Sequence, residues 1–217
     1  MKALIVSGGK VSPSFALDLY KKEEFHKVIA VDDGLAALDA IEVLPTDIIG
    51  DFDSVSPSLL EKYKNKKEII IHTYPSKKDA TDSQLALELA MLEKCDSIII
   101  LGATGTRLDH VLGAIYMLQI PLERGIDCCI LDENNRITLI NKPKIIKKKE
   151  IMGNYISLMP FTEKVDGITL KGFKYPLENY YMELGKSPTI GISNELIEEE
   201  GYIVFYQGIL ILIESRD

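Results

Sequence analysis

Several features are scarce in this chain, and each scarcity argues against a class of protein. There is no tryptophan, and the cysteines are three: Cys95 and the adjacent Cys128 and Cys129, in no CxxC spacing. An odd number of cysteines does not build a disulfide framework, so we expect buried, reduced thiols. No run approaches the roughly 18 apolar residues of a membrane-spanning helix, and the apolar run at 3–6 is too short for a signal peptide. We therefore expect a soluble, cytoplasmic protein without membrane association.

An excess of basic residues is also lacking. The 217 residues carry a formal net charge of −8 at pH 7. Nucleic acids and anionic membrane surfaces favour a basic face, so this charge argues against both as partners. The hydrophobic content of 46% is that of an ordinary globular chain, long enough for one large or two modest domains. A small-molecule partner is expected, bridged by a metal ion if the partner is anionic.

The first part of the chain alternates between short apolar runs and segments with helical spacing. The runs are rich in Ile and Val and predict buried strands at 3–6, 28–31, 47–50, 69–72, 97–101 and 128–132. Helical spacing occurs between them, at 15–20, 35–41, 58–63, 82–92 and 109–119. This alternation predicts an α/β N-terminal domain with a mostly parallel sheet covered on both faces. Functional residues should then lie at the carboxyl ends of the strands.

The pattern changes after a plausible turn at Asn134-Asn135. Short strands punctuated by Gly, Pro and Asn are predicted at 136–140, 155–160, 167–170, 180–184, 189–192, 203–206 and 208–213. No convincing helix separates them, which predicts an all-β C-terminal sandwich. The expected domains are 1–134 and 135–217. The lysine run at 147–149 is most simply a solvated edge or hairpin.

The segment 50–54, with the sequence GDFDS, is the first sign of chemistry. If the chain stays extended after the predicted strand, Asp51 and Asp53 point to the same side. Two such close like charges repel unless a cation or proton intervenes, and Mg²⁺ prefers hard oxygen ligands. The alternative is that one of them caps the following helix.

A second acidic segment, 78–82 with the sequence KDATD, precedes a predicted helix. Thr81 or Asp79 suits the N-cap, and the helix dipole favours Asp82 in the first turn. Capping explains either carboxylate as well as a functional role does. Lys78 can neutralise phosphate, although a surface lysine is the default interpretation.

The loop 102–107 joins the strongest predicted strand to a predicted helix. Its backbone N–H groups and the helix N-terminus can face an anion, and Arg107 can add a bidentate phosphate contact. The loop matches neither the dinucleotide-binding pattern nor the P-loop, so its signal is weak alone. Asp109 is a candidate site residue or simply a helix cap. Ser193 and Asn194 suit a polar ligand or a turn.

Together these segments resemble the thiamine pyrophosphokinase family, in its compact bacterial form. The matching segments are 7–9, 31–34, 50–54, 78–82, 102–110, 172–177, 192–195 and 208–210. Each is modest alone, and their order and spacing make the joint match specific. Ala103 and Thr106 stand where the family often has glycine, which predicts a slightly stiffer loop.

The resemblance implies an N-terminal domain that handles ATP and Mg²⁺, a sandwich, and a homodimer with thiamine bound between subunits. The implied reaction converts ATP and thiamine into AMP and thiamine diphosphate. By match to the family, the metal ligands are Asp51, Asp53 and Asp82, and the catalytic set adds Asp79. The implied ATP-binding residues are Asp32, Lys78, Thr104, Gly105 and Arg107. The implied thiamine-binding residues are Asp109, Ser193 and Asn194. Since tryptophan is absent, stacking on thiamine would need Tyr or Phe, with Phe173 and Tyr175 as candidates.

Two other functions remain open from the residues alone. An Asp-x-Asp pair after a strand also suits the aspartyl nucleophile of a metal-dependent phosphohydrolase, although here the pair follows the third apolar run rather than the first. The other alternative is a thiamine- or nucleotide-binding module without catalysis. Products formed from ATP, Mg²⁺ and thiamine distinguish the three.

Overall fold

The computed structural model describes residues 1–53, 55–74, 80–186 and 189–217. Two compact units are present, Met1–Glu133 and Asn134–Asp217. Lys78 and Asp79, both predicted site residues, lie outside the described residues. No helix in the described ranges is long and apolar enough to cross a membrane. None of the three cysteines, all within the described ranges, forms a disulfide; Cys95 is buried as expected, whereas the other two are partly exposed.

The first unit alternates strands and helices. Its strands are β1 (Lys2–Val6), β2 (Lys27–Val31), β3 (Asp47–Gly50), β4 (Ile70–Thr73), β5 (Ser97–Leu101) and β6 (Asp127–Leu131). Its helices are α1 (Pro13–Lys22), α2 (Gly34–Ala40), α3 (Pro57–Lys64), α4 (Asp82–Leu92), α5 (Leu108–Met117) and α6 (Gln119–Glu123). The strands lie in the order β4-β3-β2-β1-β5-β6, and each neighbouring pair is parallel. The predicted α/β domain with a mostly parallel sheet is confirmed.

Continuous apolar runs form the inner strands because both faces of the sheet are covered there. Ile48 and Ile49 are consecutive in β3, so they point to opposite faces, and both are 0% exposed. The burial predicted for 69–72 is wrong for most of that run, because β4 lies at the edge of the sheet and none of its residues is buried.

Local sequence signals mark where two of the helices begin. Pro13 and Pro57 stand at the first positions of α1 and α3, where a missing backbone N–H costs no helical hydrogen bond.

The order of the strands reverses at β1. Strands β1 to β4 are added one after another on one side, whereas β5 returns to the other side of β1. In open α/β sheets, ligands bind outside the carboxyl ends of the strands at such a switch point. This fold therefore directs attention to the segments that follow β1, β2, β3 and β5.

The second unit is built of antiparallel strands. They are β7 (Asn135–Ile140), β8 (Lys144–Lys147), β9 (Tyr155–Pro160), β10 (Lys164–Lys171), β11 (Leu177–Glu183), β12 (Glu200–Val204) and β13 (Leu210–Ser215). Strand β13 pairs with β7 and β9, and the other strands form a sheet in the order β11-β10-β12-β8. One hydrophobic core, including Ile156, Val165, Ile203 and Leu212, draws residues from both sets of strands. The predicted all-β C-terminal part is confirmed.

Two segments of the second unit differ from a simple strand pattern. The strand predicted at 189–192 is wrong: the Ile192 N–H donates to the Thr189 carbonyl at 3.2 Å and closes a turn. Gly191 accepts one hydrogen bond from Leu158, but Ser193, at φ 56°, turns the chain before a ladder can form. The lysine-rich region contains the edge strand β8, in which Ile146 is buried and the other residues are exposed.

Candidate active site

The segments after β1 and β5 are in direct backbone contact at the switch point. The Ser7 N–H donates to the Leu101 carbonyl at 2.8 Å, and the Gly9 N–H donates to the Gly102 carbonyl at 2.9 Å. A Cβ atom on Gly9 would lie 2.3 Å from the same Gly102 oxygen, so no side chain fits there. Glycine therefore permits the close approach of these two loops.

The loop between β5 and α5 also approaches the segment after β1. A Cβ atom on Gly9 would lie 3.3 Å from the carbonyl oxygen of Thr104, and one on Gly105 would lie 4.0 Å from the Cα atom of Gly9. Thr104 is partly buried and Gly105 is exposed. These two predicted ATP-binding residues thus lie at the switch point.

Asp32 follows β2 and lies against the end of β3. Its φ is 48°, in the left-handed region, and its N–H donates to the Ile49 carbonyl at 3.0 Å. Its Oδ1 atom lies 1.9 Å from the position of a Cβ atom on Gly50. The Asp32 carboxylate can therefore lie against the backbone of residue 50, next to Asp51, only because that residue is a glycine without a side chain.

The chain turns after β3 rather than staying extended. Phe52 has a φ of 62°, and the Asp53 N–H donates to Oδ1 of Asp51 at 3.1 Å. The extended conformation considered for this segment is therefore wrong, because the Asp51 carboxylate stabilises a local turn. Helix α3 is capped by Ser56, whose Oγ accepts from the Leu59 N–H at 3.3 Å. Neither carboxylate is the cap of that helix.

Asp82 is the first residue of α4, which packs against β1, β2 and β3. The N-cap is Thr81, whose Oγ1 accepts from the Gln84 N–H at 3.3 Å. Asp82 lies in the first turn, where the helix dipole favours a negative charge. Ser83, the next residue, places its hydroxyl 2.9 Å from that of Ser7. The beginning of α4 is therefore beside the end of β1.

Within the described ranges, no group of three or more His, Cys, Asp or Glu side chains could hold a metal ion. Donor chemistry nevertheless fits a hard divalent cation, because Asp51 and Asp53 follow the end of β3 and Asp82 begins α4, so all three supply carboxylates at the same sheet edge. Mg²⁺ commonly takes one or two protein carboxylates and completes its shell with water and substrate phosphate. A group of three preassembled ligands is therefore not required before a phosphate-bearing ligand binds.

Arg107 and Asp109 form an ion pair at the start of α5. The Arg107 Nη2 donates to Oδ2 of Asp109 at 2.6 Å, and its Nε donates to Oδ1 at 3.2 Å. These hydrogen bonds hold the pKa of Asp109 below its ordinary value. The side chains are 66% and 64% exposed, so both can meet a ligand. Arg107 occupies the N-cap position, so Asp109 lies inside the first turn and is not the cap.

Asn194 is buried in the second unit, with its amide engaged by the backbone. Its Oδ1 accepts from the N–H groups of Tyr175 at 3.0 Å and Glu195 at 2.9 Å, and its Nδ2 donates to the Tyr175 carbonyl at 2.8 Å. Ser193 is exposed, and its N–H donates to Oγ of Ser157 at 3.0 Å. Ser193 thus offers a free surface for a ligand, whereas Asn194 mainly holds two segments together.

The two aromatic candidates near Asn194 differ sharply in exposure. Phe173 is 3% exposed and belongs to the hydrophobic core. Tyr175 is 56% exposed, and the Nζ of Lys174 lies 5.6 Å from the centre of its ring. Burial removes Phe173 as a stacking residue and leaves Tyr175 as the candidate.

Ser83 lies at the predicted site edge but was not among the predicted site residues. Its partner Ser7 belongs to a segment of the family match, yet the two are 76 residues apart in the chain. A serine in the first turn of a helix has no local signal that distinguishes it from a solvent-exposed hydroxyl. The tertiary contact alone reveals it.

Family models match both parts of this fold. Residues 19–130 match the catalytic domain of thiamin pyrophosphokinase, and residues 143–210 match its vitamin B1 binding domain. An α/β unit with polar groups at its switch point, joined to an all-β unit, is thus the architecture of an ATP-dependent transferase.

Individual relatives agree with this class. The chain is 37% identical over 214 residues to thiamine pyrophosphokinase of Bacillus subtilis (strain 168), and 98% of each chain is covered. The crystal structure of the Bacillus subtilis enzyme superposes with a TM-score of 0.89 at 35% identity, covering 100% of both chains. That of thiamin pyrophosphokinase from Geobacillus thermodenitrificans gives a TM-score of 0.86 at 32% identity, covering 100% of this chain and 98% of the other. The chain belongs to the thiamine pyrophosphokinase family, which confirms the predicted activity, formation of thiamine diphosphate from thiamine and ATP.

Proposed function

We propose that the transfer takes place at the carboxyl edge of β1, β2, β3 and β5, with Mg²⁺ as the metal. The observation that carries this proposal is the convergence at that edge of Asp32, the Asp51–Asp53 turn, the start of α4 and the loop after β5. Polar groups at a switch point are positioned for a bound nucleotide. The all-β unit that follows matches the vitamin-binding part of the family.

Asp51, Asp53 and Asp82 are the proposed metal ligands, with Asp79 beside them in the catalytic set. Oxygen donors of this kind suit Mg²⁺. The bound ion would neutralise negative charge on the phosphates of ATP. The turn between Asp51 and Asp53 restricts the directions available to both side chains, which lowers the entropy lost when they bind an ion.

The proposed contacts to ATP are made by Asp32, Lys78, Thr104, Gly105 and Arg107. Arg107 uses two of its five N–H donors on Asp109, which leaves donors for phosphate oxygens. Backbone amides of a glycine-containing loop before a helix can supplement them. Together they hold the polyphosphate in one orientation.

Thiamine is proposed to contact Asp109, Ser193 and Asn194. The Asp109 carboxylate is negative, and its charge suits the cationic thiazolium ring. Ser193 contributes an exposed hydroxyl, whereas Asn194 uses one amide N–H and its carbonyl oxygen on the backbone beside it among the described residues, so its second amide N–H is the proposed contact. The exposed ring of Tyr175, tethered at both its N–H and its carbonyl, is positioned to stack on a flat ligand.

In the proposed reaction, the hydroxyethyl oxygen of thiamine attacks the β-phosphorus of ATP in line and AMP leaves. Phosphoryl-type transfers depend mainly on positioning and on stabilising the charge of the transferring oxygens. Arg107 and the loop amides supply fixed positive charge and donors for that purpose. A strong general base is not required, because the alcohol proton can leave late in a loose transition state.

A homodimer is proposed on the basis of one surface of α5. Leu108, Leu112 and Tyr116 recur every four residues and therefore share one helix face, and they are 73%, 54% and 62% exposed. Apolar side chains aligned in this way commonly mark a protein interface. Light scattering at micromolar concentration should give twice the mass of the chain, and an active monomer would contradict this part of the proposal.

We further propose a cytoplasmic enzyme without a nucleic-acid partner, in keeping with cysteines that are outside any disulfide and with the acidic charge of the chain.

The direct test is to incubate the purified chain with ATP, MgCl₂ and thiamine and to identify the products. AMP and thiamine diphosphate in equal amounts support the proposed reaction. Inorganic phosphate released without thiamine would instead support a phosphohydrolase. Binding of both substrates without any product would support a binding module.

A further inference from the structure

One side-chain contact joins the start of α4 to the end of β1. The hydroxyl oxygens of Ser7 and Ser83 are 2.9 Å apart, a hydrogen-bond distance. Ser7 is 6% exposed, and its N–H is bonded to the carbonyl of Leu101 in β5, so its own position is rigid. Ser83 is therefore attached to a fixed point of the sheet.

The packing of α4 on the sheet is mainly apolar. Ala86, Leu87 and Ala90 are 0% exposed and form the packing face of the helix. Apolar burial is non-directional, so it stabilises the packing of the helix without selecting a direction for the polar groups at its start. A hydrogen bond has a narrow range of distance and angle, so the serine pair restricts the position of this end of the helix. The Thr81 cap acts within the helix and does not connect it to the sheet.

We propose that Ser83 and Ser7 are positioning residues for Asp82. The residue next to Ser83 is the proposed metal ligand, so the hydroxyl pair determines where its carboxylate lies relative to the switch point. This inference rests on the proposed role of Asp82. Groups that orient a metal ligand typically affect metal affinity or activity by about 10- to 100-fold when they are removed.

The test measures metal binding without turnover. Mn²⁺ is titrated into the full chain with a non-hydrolysable ATP analogue and no thiamine, and free Mn²⁺ is followed by electron paramagnetic resonance. Ser83→Ala should weaken Mn²⁺ binding about 10-fold and raise the Mg²⁺ concentration for half-maximal rate by a similar factor. Ser83→Thr keeps the hydroxyl and should restore most of the affinity.

Ser7→Ala should reproduce the effect of Ser83→Ala, and the double variant should be little worse than either, because both changes remove one shared hydrogen bond. The matched control is Ser97→Ala at the start of β5, at the opposite edge of the same sheet, which should leave Mn²⁺ affinity unchanged. Thermal melting confirms that each variant is folded.

Two results would overturn the proposal, and they distinguish failure of the positioning role of Ser83 from failure of the metal-ligand role of Asp82. If Asp82→Asn weakens Mn²⁺ binding but Ser83→Ala does not, the positioning role is wrong and the ligand role of Asp82 stands. If Asp82→Asn itself leaves Mn²⁺ affinity unchanged, the ligand role fails and the positioning role fails with it.

Discussion

The carboxylate of Asp32 occupies the space that any side chain at position 50 would need. Its Oδ1 atom lies 1.9 Å from the position of a Cβ atom on Gly50, far inside van der Waals contact. Two loops that follow neighbouring parallel strands are thereby packed against each other. This relationship connects one proposed ATP-binding residue to the turn that carries two proposed metal ligands.

Replacing Gly50 by alanine should therefore impair catalysis, and it should also lower stability, because Gly50 has a φ of 158°, which residues with a side chain rarely adopt. The new methyl group displaces the Asp32 carboxylate or shifts the Asp51–Asp53 turn, and a displacement of about 1 Å in a catalytic group can cost about 100-fold in rate. We expect kcat to fall by about that factor, measured by AMP formation. Gly113→Ala in α5 is the matched control, because a Cβ atom there meets nothing within 4 Å, and it should retain normal kcat.

Asp51→Asn and Asp53→Asn test the proposed metal ligands. An amide oxygen at position 51 can still accept from the Asp53 N–H, so the turn should survive while the negative charge is lost. We expect kcat to fall by about 100- to 1,000-fold, with an unchanged melting temperature. Near-normal turnover at saturating Mg²⁺ in either variant would refute its assignment as a ligand.

The Arg107–Asp109 pair predicts a change in pH dependence. Hydrogen bonds from Arg107 lower the pKa of Asp109, so the carboxylate stays charged as the pH falls and is neutralised only below its ordinary range. Arg107→Ala removes these bonds, so the pKa of Asp109 should rise towards its ordinary value. Protonation of Asp109 removes the negative charge that is proposed to bind thiamine. As the pH is lowered, thiamine affinity should therefore start to fall at a higher pH in Arg107→Ala than in the unsubstituted chain.

Carbon-13 NMR titration of the Asp109 carboxyl carbon measures that pKa directly. Arg107→Lys is the control, because lysine keeps the charge but cannot donate two parallel hydrogen bonds, and it should give an intermediate pKa. Arg107→Ala should also raise the KM for ATP. An unchanged Asp109 pKa in Arg107→Ala would show that the pair does not control the carboxyl group.

Ser193 and Asn194 are adjacent, yet their substitutions should have different effects. Asn194→Ala leaves two backbone N–H groups and one carbonyl without their partner, which should lower the free energy of unfolding by about 2–3 kcal/mol. Ser193→Ala should leave stability nearly unchanged and raise the KM for thiamine, with the KM for ATP unaffected. Urea denaturation and steady-state kinetics measure the two effects. Equal stability loss in both variants would contradict this division of roles.

Much of the fold follows from local patterns. The helix at 82–92 and the strands at 47–50 and 97–101 have the predicted bounds, because a buried parallel strand must be apolar on both faces and a helix must begin after a cap. The order of polar segments along the chain likewise predicted the family. Local pattern failed at 189–192, where the chain closes a turn and the left-handed residue Ser193 follows it.

The alternation of elements, the all-β second part and the acidic segments can be recognised without coordinates, because hydrophobic periodicity and turn residues act over a few positions. The contact of Ser83 with Ser7, the approach of Asp32 to Gly50 and the use of the Asn194 amide by the backbone are visible only in the folded chain. Those contacts join residues distant in the chain. They depend on strand order and close packing, which no local pattern records.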